Sequence, residues 1–328
     1  MNKATDWQTA WDWLCQRRRH APPNADVWHL RYHWPRLGDP LYRQVLAGRY
    51  CLSPMQVHHH YAQSWVQWNA QDALVLKWVA LQVENRLPTH ARCAHIKGHG
   101  GGRQSVRDVW LALQSGEYAF IYRTDIRGYY RHIRKQQVLS QVKWHIADSV
   151  LVGLIEQYLY YSVEDGGEFY TPEHGICRGC ALSPLIGASL LHHVDGYFNA
   201  QEGVFYTRYM DDFVVLTRSR RQLRRGVKQL HEFFNLGGFE THPDKTQLGR
   251  IEHGFDWLGV WFTPKGTTIA PRALENHRAR RVRLYEQAQR RKLSATETES
   301  RVRAYEARWN IWAEGMLSNI RWHPSSIS

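Results

Sequence analysis

Two consecutive acids, Asp211-Asp212, stand between two β-prone runs, Val204-Phe-Tyr-Thr-Arg-Tyr209 and Phe213-Val-Val-Leu216. The pattern reads as two strands joined at Met210-Asp211, and the apolar flanks require both strands to be buried. A further apolar run, Tyr118-Ala-Phe-Ile-Tyr122, leads into Thr124-Asp125. A lone Asp in such a place usually caps a surface turn. Carboxylates at the ends of buried strands are costly unless cations meet them. If the strands are neighbours in one sheet, Asp125 and Asp211 converge. Hard oxygen ligands facing each other suit Mg2+, which also accepts substrate phosphates. Two such ions can activate an attacking hydroxyl and stabilise the leaving oxygen of a phosphoryl transfer.

The charge balance agrees with a phosphate-bearing partner. Among 328 residues, 43 Lys and Arg outnumber 30 Asp and Glu, a formal net charge of +13. Arg218 to Lys228 carries six basic side chains in eleven positions and no acid, and residues 272–328 hold twelve basic side chains against six acidic. Such clusters read as solvated helix faces or as surfaces for nucleic-acid phosphates. No apolar run approaches the 18 residues of a membrane span, and the N-terminus lacks the apolar stretch of a signal peptide. Five scattered cysteines (15, 51, 93, 177, 180) suit a reducing compartment. The expected location is cytoplasmic, with no membrane partner. Cys177-x-x-Cys180 near His174 lacks a second ligand pair, so zinc is not expected there.

Along the chain, Ala73 to Val83 shows helical spacing with a stop at Leu87-Pro88, and Lys97 to Arg103 is a loop followed by a helix from Ser105 to Leu113. Helical patterns run from about Arg134 to Tyr161, before a turn at Glu164–Gly167. Ser183 is the expected N-cap, and Pro184 the first residue, of a buried helix reaching Phe198. A basic helix over about 219–236 follows, then strands ending in Phe255–Phe262. Val302, Tyr305, Trp309, Trp312 and Met316 form one apolar stripe of a helical tail. His58-His59-His60 is expected to be a solvated loop. The Gly100-Gly101-Gly102 run lacks the Gly-Lys-Ser/Thr of a phosphate loop. This order of elements favours an α+β core.

Tyr209-Met210-Asp211-Asp212 resembles the Tyr-x-Asp-Asp box of reverse transcriptases, and four other segments fit the same order. Asp125-Ile-Arg-Gly-Tyr-Tyr130 is similar to the first catalytic box, and Gly175 to Pro184 to the loop and helix that carry template and nucleotide. Pro243-Asp-Lys245-Thr246 resembles the lysine box, and Phe255-Asp-Trp-Leu-Gly259 the primer-gripping hairpin. The resemblance covers about residues 45–262, and its nearest types are bacterial enzymes of group II introns, retrons and phage defence.

That resemblance implies a right-hand polymerase: an N-terminal extension and fingers over 1–117, a palm of antiparallel sheet packed on helices over 118–262, and a small helical thumb over 263–328. Asp125, Asp211 and Asp212 would hold two Mg2+ ions, with Mn2+ as a substitute, and Lys245 would protonate the leaving pyrophosphate. Ile126, Tyr130, Arg178, Gly179, Ser183 and Pro184 would shape the nucleotide pocket, with Tyr130 excluding a ribose 2′-hydroxyl. Lys97 and Arg103, with Lys77, are the candidates for gripping the triphosphate. Tyr209, Met210, Trp257, Leu258 and Gly259 would contact primer and template. Arg178 stands where the family often has Gln, and the Ile-Pro-Lys and Arg-Pro-Leu finger boxes of intron enzymes are not found. The implied reaction extends a primer 3′-hydroxyl with dNTPs on an RNA template. A dedicated noncoding RNA of an antiphage or retron-like system is the expected partner, without a nuclease or RNase H module. A maturase-like role, a non-catalytic RNA-binding protein on a polymerase scaffold and an RNA-making polymerase are the alternatives; Tyr130 speaks against the last.

Overall fold

The computed structural model describes residues 3–60, 63–318 and 320. The chain is α+β and forms two compact units, each assembled from separate segments. One comprises residues 1–90, 127–193 and 234–240; the other comprises 91–126, 194–233 and 241–328. In chain order the strands are β1 (Met55–His60), β2 (Gln63–Gln67), β3 (Phe120–Asp125), β4 (Val163–Asp165), β5 (Glu168–Tyr170), β6 (Val204–Tyr209), β7 (Asp212–Thr217), β8 (Gln247–Arg250), β9 (Phe255–Trp257), β10 (Val260–Thr263) and β11 (Gly266–Ile269).

The first unit is mainly helical. Its helix Ala70–Val83 is apolar on nearly every side and correspondingly buried, and the Asn69 side chain caps it by accepting from the Asp72 N–H at 2.7 Å. Helices Lys3–Arg17 and Ser149–Leu159 pack against it. Its sheet has the order β2-β1-β4-β5, with a single parallel pairing, β1 on β4. His58 to His60 therefore lie in a strand, correcting the expected loop. Main-chain pairing with β2 supplies what histidine's weak β preference does not.

The buried helix expected from Ser183 to Phe198 is two helices, Ser183–Leu190 and His192–Asn199. Its N-cap is Leu182, one residue before the expected one, so Ser183 is already the first helical residue and no side chain caps the start. Ser183 Oγ donates instead to the Cys180 carbonyl at 2.8 Å. The loop before it is tied down at Gly175, whose φ of +82° and close approach to the Tyr130 and Arg131 carbonyls leave no room for a Cβ.

The second unit holds two antiparallel sheets, β6-β7-β3-β8 and β9-β10-β11. β3 and β7 lie inside the first sheet and are buried along most of their length, as continuous apolar runs require. Its core joins Ile121, Leu216, Trp257, Phe262 and Met316 with Val106 of the helix Gly101–Gln114. Helices Pro271–Arg290 and Ala295–Leu317 complete the unit, the second opened by a Ser294–Glu297 capping box. Val302 and Met316 of the expected stripe are buried, and Trp309 stacks on His277 at 4.1 Å. Among the described residues, no helix is long and apolar enough to cross a membrane.

Candidate metal centre and nucleotide-binding residues

Strand register builds the acidic site. β3 and β7 pair with Asp125 opposite Asp212, and β6 and β7 pair with Tyr209 opposite Asp212, leaving Met210-Asp211 as a two-residue turn. Carboxylate oxygens of Asp125, Asp211 and Asp212 lie within 4.8 Å of one another. Asp125 is 3 % exposed, and its Oδ1 has no hydrogen-bond partner. Its Oδ2 receives Lys245 Nζ at 2.5 Å. Lys245 reaches it from a short 3-10 turn, Pro243–Lys245, held by the His242 N–H on the Asp125 carbonyl at 2.8 Å.

Asp212 is met by Arg123 Nη2 at 3.4 Å, and Arg123 Nη1 donates to the Lys245 carbonyl at 3.2 Å. Burial is the largest influence on the Asp212 carboxyl. Arg123 draws it down, Asp125 and Asp211 push it up and Lys245 draws it down, leaving it at about 6. Three carboxylates against two cations, with one buried oxygen unpartnered, make a site short of positive charge. The donor set is all oxygen, which fits a hard divalent cation.

Four residues here escaped the sequence reading. Arg123 carried a signal, since two positions before Asp125 on a strand means the same face. Asp195 and Arg208 form a fully buried pair at 2.5 Å. A lone acid inside the apolar stretch Leu190–Phe198 was the clue to that pair. His95, whose Nδ1 accepts the Met210 N–H at 3.0 Å, carried no local signal.

The remaining candidates are distributed over both units. Ile126 is buried beside Asp125, its N–H donating to the Asp211 carbonyl at 3.1 Å. Tyr209 and Leu258 flank Gly102, each with a ring or methyl carbon 3.6 Å from where its Cβ would stand. Leu258 and Gly259, at φ +49° and +85°, form the two-residue turn between β9 and β10. The Trp257 indole is wholly buried and donates to Ser105 Oγ at 3.0 Å, so its ring belongs to the core. Lys97 is exposed in a turn. Arg103 lays its guanidinium over Gly315, against the helix Ala295–Leu317.

In the first unit, Tyr130 is 9 % exposed and packs on Gly187, with the Arg178 guanidinium 5.7 Å from its ring centre. Ser183 is buried and Pro184 half-buried at the start of the same helix as Gly187. Arg178 and Gly179 line a cavity of about 320 Å3 with Trp13, Arg17, Arg18 and Trp65. Lys77 sits 5.6 Å from the Trp13 ring centre. Cys177 and Cys180 are both pushed up to about 12 by burial and stay thiols. Among the described residues, the acidic triad is the cluster of acids, histidines and cysteines close enough to hold a metal ion.

A buried antiparallel sheet that ends in converging carboxylates with a lysine beside them is an arrangement that could hold a divalent cation against a phosphate-bearing substrate. Residues 77–262 match the family Reverse transcriptase (RNA-dependent DNA polymerase), more than half of the chain, and the chain belongs to that family. Protein YkfC of Escherichia coli (strain K12) is 21% identical over 192 residues, covering 47% of this chain and 50% of YkfC. The chain thus spans about half the length of that curated relative.

Proposed function

We propose that this protein is an RNA-directed DNA polymerase that extends a primer 3′-hydroxyl with dNTPs, using divalent ions, Mg2+ first among them, held by Asp125, Asp211 and Asp212. The observation that carries the reading is the buried, unpartnered Oδ1 of Asp125, a residue whose carboxylate lies beside those of Asp211 and Asp212. In a folded chain such an oxygen is destabilising unless a ligand meets it. Bound there, divalent ions supply Lewis acidity to the attacking and leaving oxygens.

The protein's own groups do the rest. The three carboxylates orient the ions, and Lys245 Nζ, now on Asp125, donates a proton to the leaving pyrophosphate oxygen. Arg178 and the cavity beside it, lined by arginines and tryptophans, suit phosphates and bases. The division into fingers (1–117), palm (118–262) and thumb (263–328) follows, with the basic helices along the duplex phosphates. The template is a dedicated noncoding RNA, in a retron-like or antiphage setting; sequencing the RNA that co-purifies tests this.

Purified protein should incorporate dNTPs on a primed RNA template with Mg2+. Absence of incorporation on any primed RNA or DNA, together with tight RNA binding, would replace the polymerase by an RNA-binding protein on the same scaffold. Tyr130 is the sugar gate of this reading: its ring packs beside Gly187, and a bulky ring in the pocket would leave an extra hydroxyl no room. Tyr130→Ala should raise rNTP use relative to dNTP use by about ten- to a hundredfold. Competitive incorporation assays measure that ratio, and an unchanged ratio would remove Tyr130 from the pocket.

A further inference from the structure

The turn that presents Asp211 is built on a strained residue. Met210 has φ +55°, a left-handed conformation at the first central position of the β6–β7 hairpin. Turns of this kind normally place Gly there, and a residue with a Cβ adopts that conformation only against steric opposition. Local sequence therefore does not hold the turn.

Side chains from outside the turn do. The Met210 N–H donates to His95 Nδ1 at 3.0 Å, and the Met210 carbonyl accepts from Arg208 Nη1 at 2.8 Å. The next carbonyl, that of Asp211, accepts the Ile126 N–H at 3.1 Å. Arg208 has no freedom to follow a moving turn. Its Nε and Nη2 bind the two oxygens of Asp195 at 2.7 and 2.5 Å, and Tyr206 Oη donates to the same carboxylate at 2.7 Å. His95 is fixed as firmly. The segment before it runs beside β6, with the Arg208 N–H on the Arg92 carbonyl at 2.9 Å and the Ala94 N–H on the Arg208 carbonyl at 2.8 Å. Its ring stands edge-on to Tyr209, 5.8 Å between centres.

We propose that His95 and the Asp195–Arg208 pair are positioning residues that clamp both sides of the Met210 peptide and so set the divalent-ion affinity of the site. The inference rests on the metal site proposed above. None of the three need touch the ions; they act by holding the Asp211 carboxylate where Asp125 and Asp212 can share a ligand with it. The contact requires the histidine tautomer with its proton on Nε2, leaving Nδ1 as acceptor. The Cys93 sulfur lies 3.3 Å from the same nitrogen. Burial keeps that thiol protonated, so it adds a second weak donor and no competing charge.

The test is Mn2+ titration of the full chain without nucleic acid, followed by the paramagnetic resonance signal of free Mn2+. It compares wild type, His95→Phe, His95→Asn and Asp211→Asn, with thermal midpoints recorded for each. His95→Phe keeps a ring but has no acceptor, and should weaken Mn2+ binding about tenfold, the scale of lost outer-shell support. His95→Asn places an amide oxygen close to the former Nδ1 and should stay within about twofold of wild type on the same scale. In primer extension, half-saturating Mg2+ should rise by the same factor in His95→Phe while the KM for dNTP holds. Wild-type Mn2+ affinity in His95→Phe, with affinity lost in Asp211→Asn, would overturn the clamp and leave the metal site standing. Equal losses in Phe and Asn variants would also overturn it, because the acceptor would not be the cause. Undiminished affinity in Asp211→Asn would remove the metal site and the clamp together. If the Phe ring does not fold in place, His95→Ala carries the same comparison.

Discussion

Asp125→Asn is expected to lower nucleotide incorporation by about a thousandfold or more, some 4 kcal/mol of transition-state stabilisation. The side chain is almost wholly buried, with Oδ2 on Lys245 and Oδ1 on no protein group. An amide cannot reproduce that arrangement in either orientation. With its oxygen toward Lys245, its NH2 points to where a cation belongs; reversed, the NH2 faces the ammonium. The charge is lost in both cases, and with it the excess of acids over bases that makes the site attract a cation. Asp125→Glu should fare little better, because an added methylene in a packed strand end displaces the carboxylate by about 1 Å, enough to spoil preorganised chemistry. Single-turnover primer extension on primed RNA, with Mg2+ and again with Mn2+, measures the loss, and circular dichroism confirms the fold. Activity within tenfold of wild type would move the chemistry away from this triad.

How far the sequence foretold the site depends on which interactions are local. The β6–β7 hairpin was legible because apolar runs on both sides of Asp211-Asp212 leave few alternatives to a buried turn. The convergence of Asp125 with Asp211 was legible one step later, once both strands were placed in a single sheet, although the register sets Asp212 directly opposite Asp125. By contrast, the left-handed Met210 has no sequence signature, because methionine does not favour that conformation and the device that imposes it is tertiary. Asp195 and Arg208 lie thirteen positions apart on a helix and a strand, and only packing makes them a pair. His58 and His59 are exposed, as their polarity implies, but exposure was equated with a loop, whereas main-chain pairing holds them in β1. The same distinction explains Trp257: the hairpin that carries it was recognisable, but its indole turns to Ser105 and the core.

Asp212→Asn is expected to lower activity by at least about tenfold and, without metal, to make the folded chain more stable at neutral pH. The Asp212 carboxyl titrates near 6 in the folded state against 3.8 for the ordinary group, chiefly through burial. Below pH 4 it is protonated in folded and unfolded chains alike, and it imposes no penalty. As pH rises from 4 to 6 the unfolded chain releases the proton first, so the folded state is progressively disfavoured; above about 6 the penalty is constant. Two pH units correspond to about 3 kcal/mol, reduced to about 2 by the solvent that reaches the outer part of the side chain. Asparagine carries no such titration. The difference in unfolding free energy between Asp212→Asn and wild type should therefore grow in the variant's favour between pH 4 and 6 and then level off. Urea unfolding in the presence of a chelator over that range measures it, and a difference independent of pH would refute the account. Saturating Mg2+ should narrow the gap in the wild type's favour, because binding to the ionised triad stabilises only the folded chain. A carboxylate that weakens the metal-free fold and is compensated only by a ligand is hard to explain in a structural hairpin and follows directly from a cation-binding one.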